Sequence, residues 1–341
     1  MILKSTLEQA AQENIIAAEQ IEPLFQFIQN QKTDALPDPL LGGGEQPIKF
    51  VRSFGDMFIT LGIVLLVVAI NLANLPGYYY LIPAAGFVGL AEWLVRVRRL
   101  ALPGIAILIS IIFFVSKAIP FGNENAMILG FSALSLTSLL FYIRYKMPFS
   151  LLPFSLGLVA LPVAMIGLSV FETPALFVSL GLLIFVAALW FDSQDTKRLT
   201  HLSDNAFWLY LLASPLIVHG VMISLFMSNE TWIHSMNIEI LMIIFFVVFF
   251  LLSLLIDRRV MLISTQLYMI YALTQLLQNN DNNTQDTMIY ILVGLGLFVI
   301  YFGTYWYKSR RLVFGFLSGS VVSRYIPDLD TSDVKPSDVK Q

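Results

Sequence analysis

The sequence predicts an all-α bundle of about ten transmembrane helices, with both termini on the cytoplasmic side. Two observations carry the fold class and a third the orientation. The 341 residues are 57% hydrophobic and only 13% charged, with a mean hydropathy of +0.77. A soluble domain is about 45–50% apolar and about 25% charged. Apolar runs of about 18 residues or more recur along the chain, each long enough to cross a bilayer as a helix. Between them, basic residues fall into every second loop.

The runs place spans at 55–74, 77–95, 101–119, 126–143, 149–170, 174–191, 206–227, 238–256, 260–278 and 288–306. "LPG" (Leu75–Gly77) separates the first two, and Pro76 and Gly77 suit a tight turn there. Basic residues cluster before span one (Lys49, Arg52) and after spans two (Arg96, Arg98, Arg99), four (Arg144, Lys146), six (Lys197, Arg198), eight (Arg258, Arg259) and ten (Lys308, Arg310, Arg311). The other loops hold Lys117 alone, so 14 basic residues face one side and 1 the other. Positive loops stay in the cytoplasm, which fixes the orientation and supports an even span count. Tyr78, Tyr79 and Tyr80 fall where an outer aromatic belt belongs, as does Trp232.

The ends are polar. Residues 1–34 read as a cytoplasmic two-helix unit, with Ser5 and Glu8 as a capping box, Asn14 ending the first helix, and Ile21, Leu24, Phe25 and Ile28 along one face of the second. Such a unit is too small for its own core. It rests on the membrane face, or it binds a cytoplasmic protein or a second copy of the chain. Residues 35–48 form a Pro/Gly linker into the transmembrane domain, 49–309. Residues 310–327 read as an interfacial amphipathic helix, in which Gly315 and Gly319 also form a G-x-x-x-G, and 328–341 as a disordered tail. No basic-then-apolar leader opens the chain, so span one is expected to be the insertion signal.

No cysteine is present, which excludes disulfides and thiolate sites. No catalytic, nucleotide-binding or metal motif occurs, and nothing points to a cofactor, a metal or nucleic acid. His201 and His234 lie on opposite sides of the membrane and cannot share an ion. Asp56, Glu92, Glu239 and Asp257 sit within about a turn of span ends, and Glu92 reaches Arg96 at i+4. The absence of a midplane acid argues against ion coupling.

Two polar stripes stand out. In span seven Asp204, Trp208, Leu211, Pro215 and His219 share one side of the helix. His219 lies about 20 Å from the cytoplasmic start, in the outer half of the bilayer. Pro215 frees the carbonyl of Leu211, so this face is expected to point into the bundle. In span nine Ser264, Tyr268, Tyr271 and Gln275 share a face. Each stripe reads either as an inter-helix hydrogen-bond seam or as the lining of a ligand path. Ala85 and Gly89 in span two, and Gly296 and Gly303 in span ten, suit close packing.

"ENIIAAEQIEPLFQFI" (Glu13–Ile28) resembles the N-terminal G-x-I-[ST]-x-E-Q unit of a family of uncharacterised bacterial polytopic membrane proteins, a domain-of-unknown-function class. "WFDSQDTKRLTHLSDNAFWLYLLASPLIVH" (Trp190–His219) resembles the same family, whose loop and span read D-x-x-D-P-x-R, then A-F-W-L-H, then A-x-P-L, a hydrophobic residue and V-H. Asn14 stands for the glycine, Ala17 for the Ser/Thr, Thr196 for the proline and Tyr210 for the first histidine. The resemblance implies a bacterial inner-membrane location and supplies no activity. Three function classes remain as expectations: a permease-like carrier of a small or lipidic solute, a non-transporting scaffold or sensor acting through its cytoplasmic ends and, third, an intramembrane enzyme.

Overall fold

A computed structural model describes residues 7, 11, 13, 17–25, 54–119, 125–167, 173–196, 198, 200–227, 238–278 and 284–317. All regular structure among them is helical. The Ser5–Glu8 box, Asn14, the linker, Trp232, His234 and the tail lie outside the described residues.

Residues 1–47 form a unit of their own. Within it Ala18–Gln20 make a 3-10 turn that leads into helical residues 21–25. The turn starts where the Gln20 side chain accepts the Ala17 N–H, at 3.1 Å.

The second unit, 48–341, holds the membrane helices. They are α1 (Phe54–Leu72), α2 (Gly77–Val97), α3 (Ala101–Ala118), α4 (Ala126–Tyr145), α5 (Pro148–Ile166), α6 (Pro174–Gln194), α7 (His201–Met227), α8 (Ile238–Ile256), α9 (Ile263–Gln278) and α10 (Thr284–Phe314). Among the described residues nine pass as spans by length and composition, and the ninth in chain order adds a tenth when the bent pair Arg259–Gln266 and Tyr268–Leu277, turned by 42°, is taken as one span. The sequence signals no broken helix at that point. The chain is therefore a multi-pass all-α membrane protein.

Four hairpins closed on the basic side organise the unit: α2–α3, α4–α5, α6–α7 and α8–α9. Each turn holds one residue in the left-handed region, Arg99 (φ 53°), Lys146 (φ 52°), Arg198 (φ 54°) or Asp257 (φ 60°). Ending a helix with a left-handed residue satisfies its last carbonyls and lets the chain reverse within a few residues. The helices pair as these four hairpins, flanked by α1 and α10. Two cores result. α3 is the hub of one, with Ile107, Leu108 and Phe114 fully buried against α1, α2 and α4. α7 is the hub of the other, with Ala206, Tyr210, Ala213 and Val218 fully buried among α6, α8 and α9.

Close packing falls elsewhere than on Ala85, Gly89, Gly296 and Gly303. Ala85 is exposed, and a Cβ added at any of those glycines meets nothing within 4 Å. Small residues in a span show where a neighbour could approach, and the fold decides whether one does. The tight contacts at glycines are α5 on α4, at Gly157 against Ser135, and α6 on α7. A Cβ at Gly181 would lie 2.8 Å from Ile217, and one at Gly220 would lie 2.6 Å from Val178. Gly220→Leu is expected to destabilise the protein by about 1–3 kcal/mol through overpacking, while Gly296→Leu is expected to be neutral. Thermal unfolding of the two variants in detergent checks the contrast.

The tyrosine triplet is divided. Tyr78 and Tyr79 are exposed, whereas Tyr80 is buried and stacked on Phe114 at 6.0 Å. At the other end α10 runs on to Phe314, with non-helical backbone at Tyr305, before a 3-10 turn at Gly315–Leu317. Residues 310–314 thus continue the last span. The remainder of the expected interfacial helix, beyond 317, lies outside the described residues.

Candidate functional site

α7 opens with Thr200, whose hydroxyl accepts the Leu202 N–H at 3.3 Å, and Asp195 in turn accepts from the Thr200 N–H and hydroxyl at 2.9 and 2.8 Å. The Ser203 hydroxyl and carbonyl both accept from Arg258 at 2.9 Å. The helix then runs for 27 residues, about 40 Å at 1.5 Å per residue.

The Asp204–His219 stripe does not face the interior. Ala206, Tyr210, Ala213, Ile217 and Val218 do, because α6 packs across that side. Asp204, Trp208, Leu211 and Pro215 are half-buried and His219 is exposed, so the stripe follows the flank of the bundle. All faces of α7 are apolar overall, and hydrophobicity alone could not tell inward from outward here.

The two polar stripes nevertheless meet. His219 Nδ1 and the Tyr268 hydroxyl are 2.6 Å apart, with ring centroids at 5.5 Å. One turn further along, Phe226 and Tyr271 form an edge-to-face pair at 5.5 Å. Tyr268 is the first residue after the bend in the ninth span. The partner of the intramembrane histidine is thus a phenol, in keeping with the lack of a nearby acid in the sequence. Ser264 and Gln275 are half-buried on the same helix.

At the basic end of the stripe lies a groove of about 390 Å³, lined by Ala101, Ile105, Met147, Pro148, Phe149, Asp204, Phe207 and Trp208. Trp208 stands perpendicular to both neighbours, with centroids 4.9 Å from Phe149 and 5.2 Å from Phe207. Two other grooves, of about 350 and 340 Å³, have wholly apolar or near-apolar walls, one between α8, α9 and α10 and one between α3 and α4.

A second polar constellation escapes sequence reasoning. The Asp192 carboxylate receives Arg258 Nη2 at 2.5 Å and Nε at 3.2 Å, and both side chains are buried. Beside it Arg198 donates to the Asp257 carboxylate at 2.8 Å and to the Ile256 and Asp257 carbonyls at 3.0 Å. Trp306 Nε1 donates to the other Asp257 oxygen at 2.6 Å, and Arg310 donates to the Leu254 and Leu255 carbonyls at 3.1 and 3.2 Å. The arginines that predict topology therefore also fasten the ends of α6, α7, α8 and α10 together. Asp192 and Arg258 lie 66 positions apart, so spacing gives no hint of the pair.

The first core has a wetter counterpart. Glu92 accepts from Arg144 at 2.8 and 3.0 Å, from Tyr145 at 3.1 Å and from Arg96 at 3.2 Å. Arg144 and Arg96 are largely exposed. An exposed pair gains little in water, so Glu92→Gln is expected to leave the unfolding temperature in detergent unchanged.

No group of three or more His, Cys, Asp or Glu side chains among the described residues is placed to hold a metal ion. No protein-family model matches the chain, and no curated protein and no solved structure is significantly similar to it.

Proposed function

We propose that this chain is a carrier for a lipidic solute in the bacterial inner membrane, and that the polar part of the solute moves along the flank of α7. One observation carries this reading: the hydrogen-bonded His219–Tyr268 pair lies at a bend in a span and on an exposed flank. Polar side chains at membrane depth are costly and tend to mark substrate paths. Irregular helices near the midplane are a recurrent feature of transporter binding sites. A solute with its own hydrocarbon tail needs no closed pore, since the tail stays in the bilayer while the head passes from one polar group to the next. The described acids all lie near helix ends, so the movement proposed is downhill rather than ion-driven.

The alternative is a scaffold or sensor working through its cytoplasmic ends. It draws on the separate unit at residues 1–47. An untargeted comparison of lipids between a deletion strain and strains expressing wild type or His219→Ala separates the two. The carrier reading expects a lipid class to accumulate on deletion and to remain raised with His219→Ala. Full correction by His219→Ala would remove His219 from the path.

A further inference from the structure

We infer that the groove at the basic end of the α7 stripe binds the headgroup of an ammonium-bearing phospholipid, with Asp204 holding the ammonium inside an aromatic box.

The lining includes three aromatic rings and one carboxylate. Trp208 is perpendicular to Phe149 (86°) and to Phe207 (82°), so the rings present faces and edges in different directions around one space. Ring faces attract cations, tryptophan most strongly, and the attraction grows as the cation is desolvated. Asp204 supplies a carboxylate. Arg258 acts on it only through space, and its guanidinium is already fastened to Asp192 and Ser203. A half-buried carboxylate on an apolar groove calls for a positive ligand. The apolar part of the same wall, Ile105, Met147 and Pro148, calls for a ligand that is also greasy.

The neighbourhood favours a zwitterion over a simple cation. Lys146 ends α4 immediately before the groove residues Met147 and Pro148, and its Nζ stands 5.5 Å from the centroid of the Tyr142 ring. The hydroxyl of that same Tyr142 accepts the amide of Asn205, the neighbour of Asp204, at 2.7 Å. A positive group thus directly precedes two groove residues and is linked, through the Tyr142 ring and Asn205, to the neighbour of the groove's acid, Asp204. An ammonium and a phosphate joined by a short linker match that order of charges, and both are carried by phosphatidylethanolamine. Groove residues come from the starts of α3, α5 and α7, which all lie on the basic-turn side of the bundle, at the level of one leaflet's headgroups.

This inference deepens the carrier reading and rests on it for the direction of travel, but it is tested by binding alone. The full chain in detergent is titrated with phosphatidylethanolamine, phosphatidylglycerol or dodecyltrimethylammonium, and bound copies are counted by native mass spectrometry. Wild type is expected to prefer phosphatidylethanolamine over phosphatidylglycerol by about tenfold or more, the range of one charge-assisted contact. Asp204→Asn is expected to abolish the preference while leaving phosphatidylglycerol binding unchanged. Asp204→Glu keeps the charge and is expected to retain it. Trp208→Leu and Lys146→Gln are each expected to weaken it. A variant that merely misfolds loses both lipids, and Asp204→Glu then decides the matter. Equal binding of the two phospholipids by wild type, or an undiminished preference in Asp204→Asn, overturns the site. Tighter binding of dodecyltrimethylammonium than of phosphatidylethanolamine overturns the lipid as its occupant. Selective binding without lipid movement would leave the site standing and remove the carrier. Movement of lipid indifferent to headgroup and to Asp204→Asn would do the reverse.

Discussion

Arg258→Ala is expected to destabilise the protein by about 3–5 kcal/mol, the range for removing one partner of a buried ion pair. The pair lies in the second core, with Arg258 8% and Asp192 1% exposed. Without the guanidinium, Asp192 is left with a buried charge and the Ser203 oxygens lose their donor. The Tyr210 ring also loses a cation, since the guanidinium carbon is 5.8 Å from its centroid. Asp192→Asn should cost less than Arg258→Ala, because an amide oxygen still accepts from arginine. The double variant Asp192→Leu with Arg258→Met is expected to recover much of the loss, as apolar replacements of buried pairs often do. Denaturant unfolding in mixed micelles measures all three. Equal losses from Arg258→Ala and Glu92→Gln would show that burial does not distinguish the two ion-pair sites.

The second large effect is on movement rather than stability. His219→Phe and Tyr268→Phe each remove one member of the 2.6 Å pair and retain an aromatic ring. Because His219 is exposed, neither change opens a core cavity, and unfolding temperatures should shift little. In proteoliposomes each is expected to slow transbilayer movement of a lipid by about tenfold or more, if the pair stabilises a headgroup in transit by one hydrogen bond to a charged group. The double variant should be no slower than the worse single one, since two groups acting as one station lose their effect together. A seam that only joined α7 to α9 would give the opposite pattern, with lowered stability and unaltered movement.

The sequence carries the helical class and the places of the apolar helices because both are one-dimensional properties. Length of apolar run and alternation of basic loops survive without any knowledge of neighbours, and the four left-handed turns fall in the basic loops. Position along α7 was equally legible: Asp204, Trp208, Leu211, Pro215 and His219 do share one side. The direction of that side was not. In water the apolar face marks the interior, but in a bilayer both surroundings are apolar and the rule has no purchase. In the sequence Tyr268 reads as polar and His219 as lacking an acid, yet their meeting depends on α7 lying beside α9. Asp192 is hidden for another reason. It sits two residues from the end of α6 and reads as a loop charge, and only the docking of the α8–α9 turn on α6 and α7 buries it. Arg258 likewise reads as a topology signal, and the fold shows it to be a structural clasp.

The central claim is that a lipid headgroup crosses the membrane along the α7 flank. The direct measurement is the rate at which a fluorescent, headgroup-bearing phosphatidylethanolamine in the inner leaflet of proteoliposomes becomes accessible to a membrane-impermeant quencher. The account predicts a rate well above that of protein-free vesicles, reduced by His219→Phe and by Tyr268→Phe. A folded wild-type protein that leaves the rate at the protein-free value would contradict it.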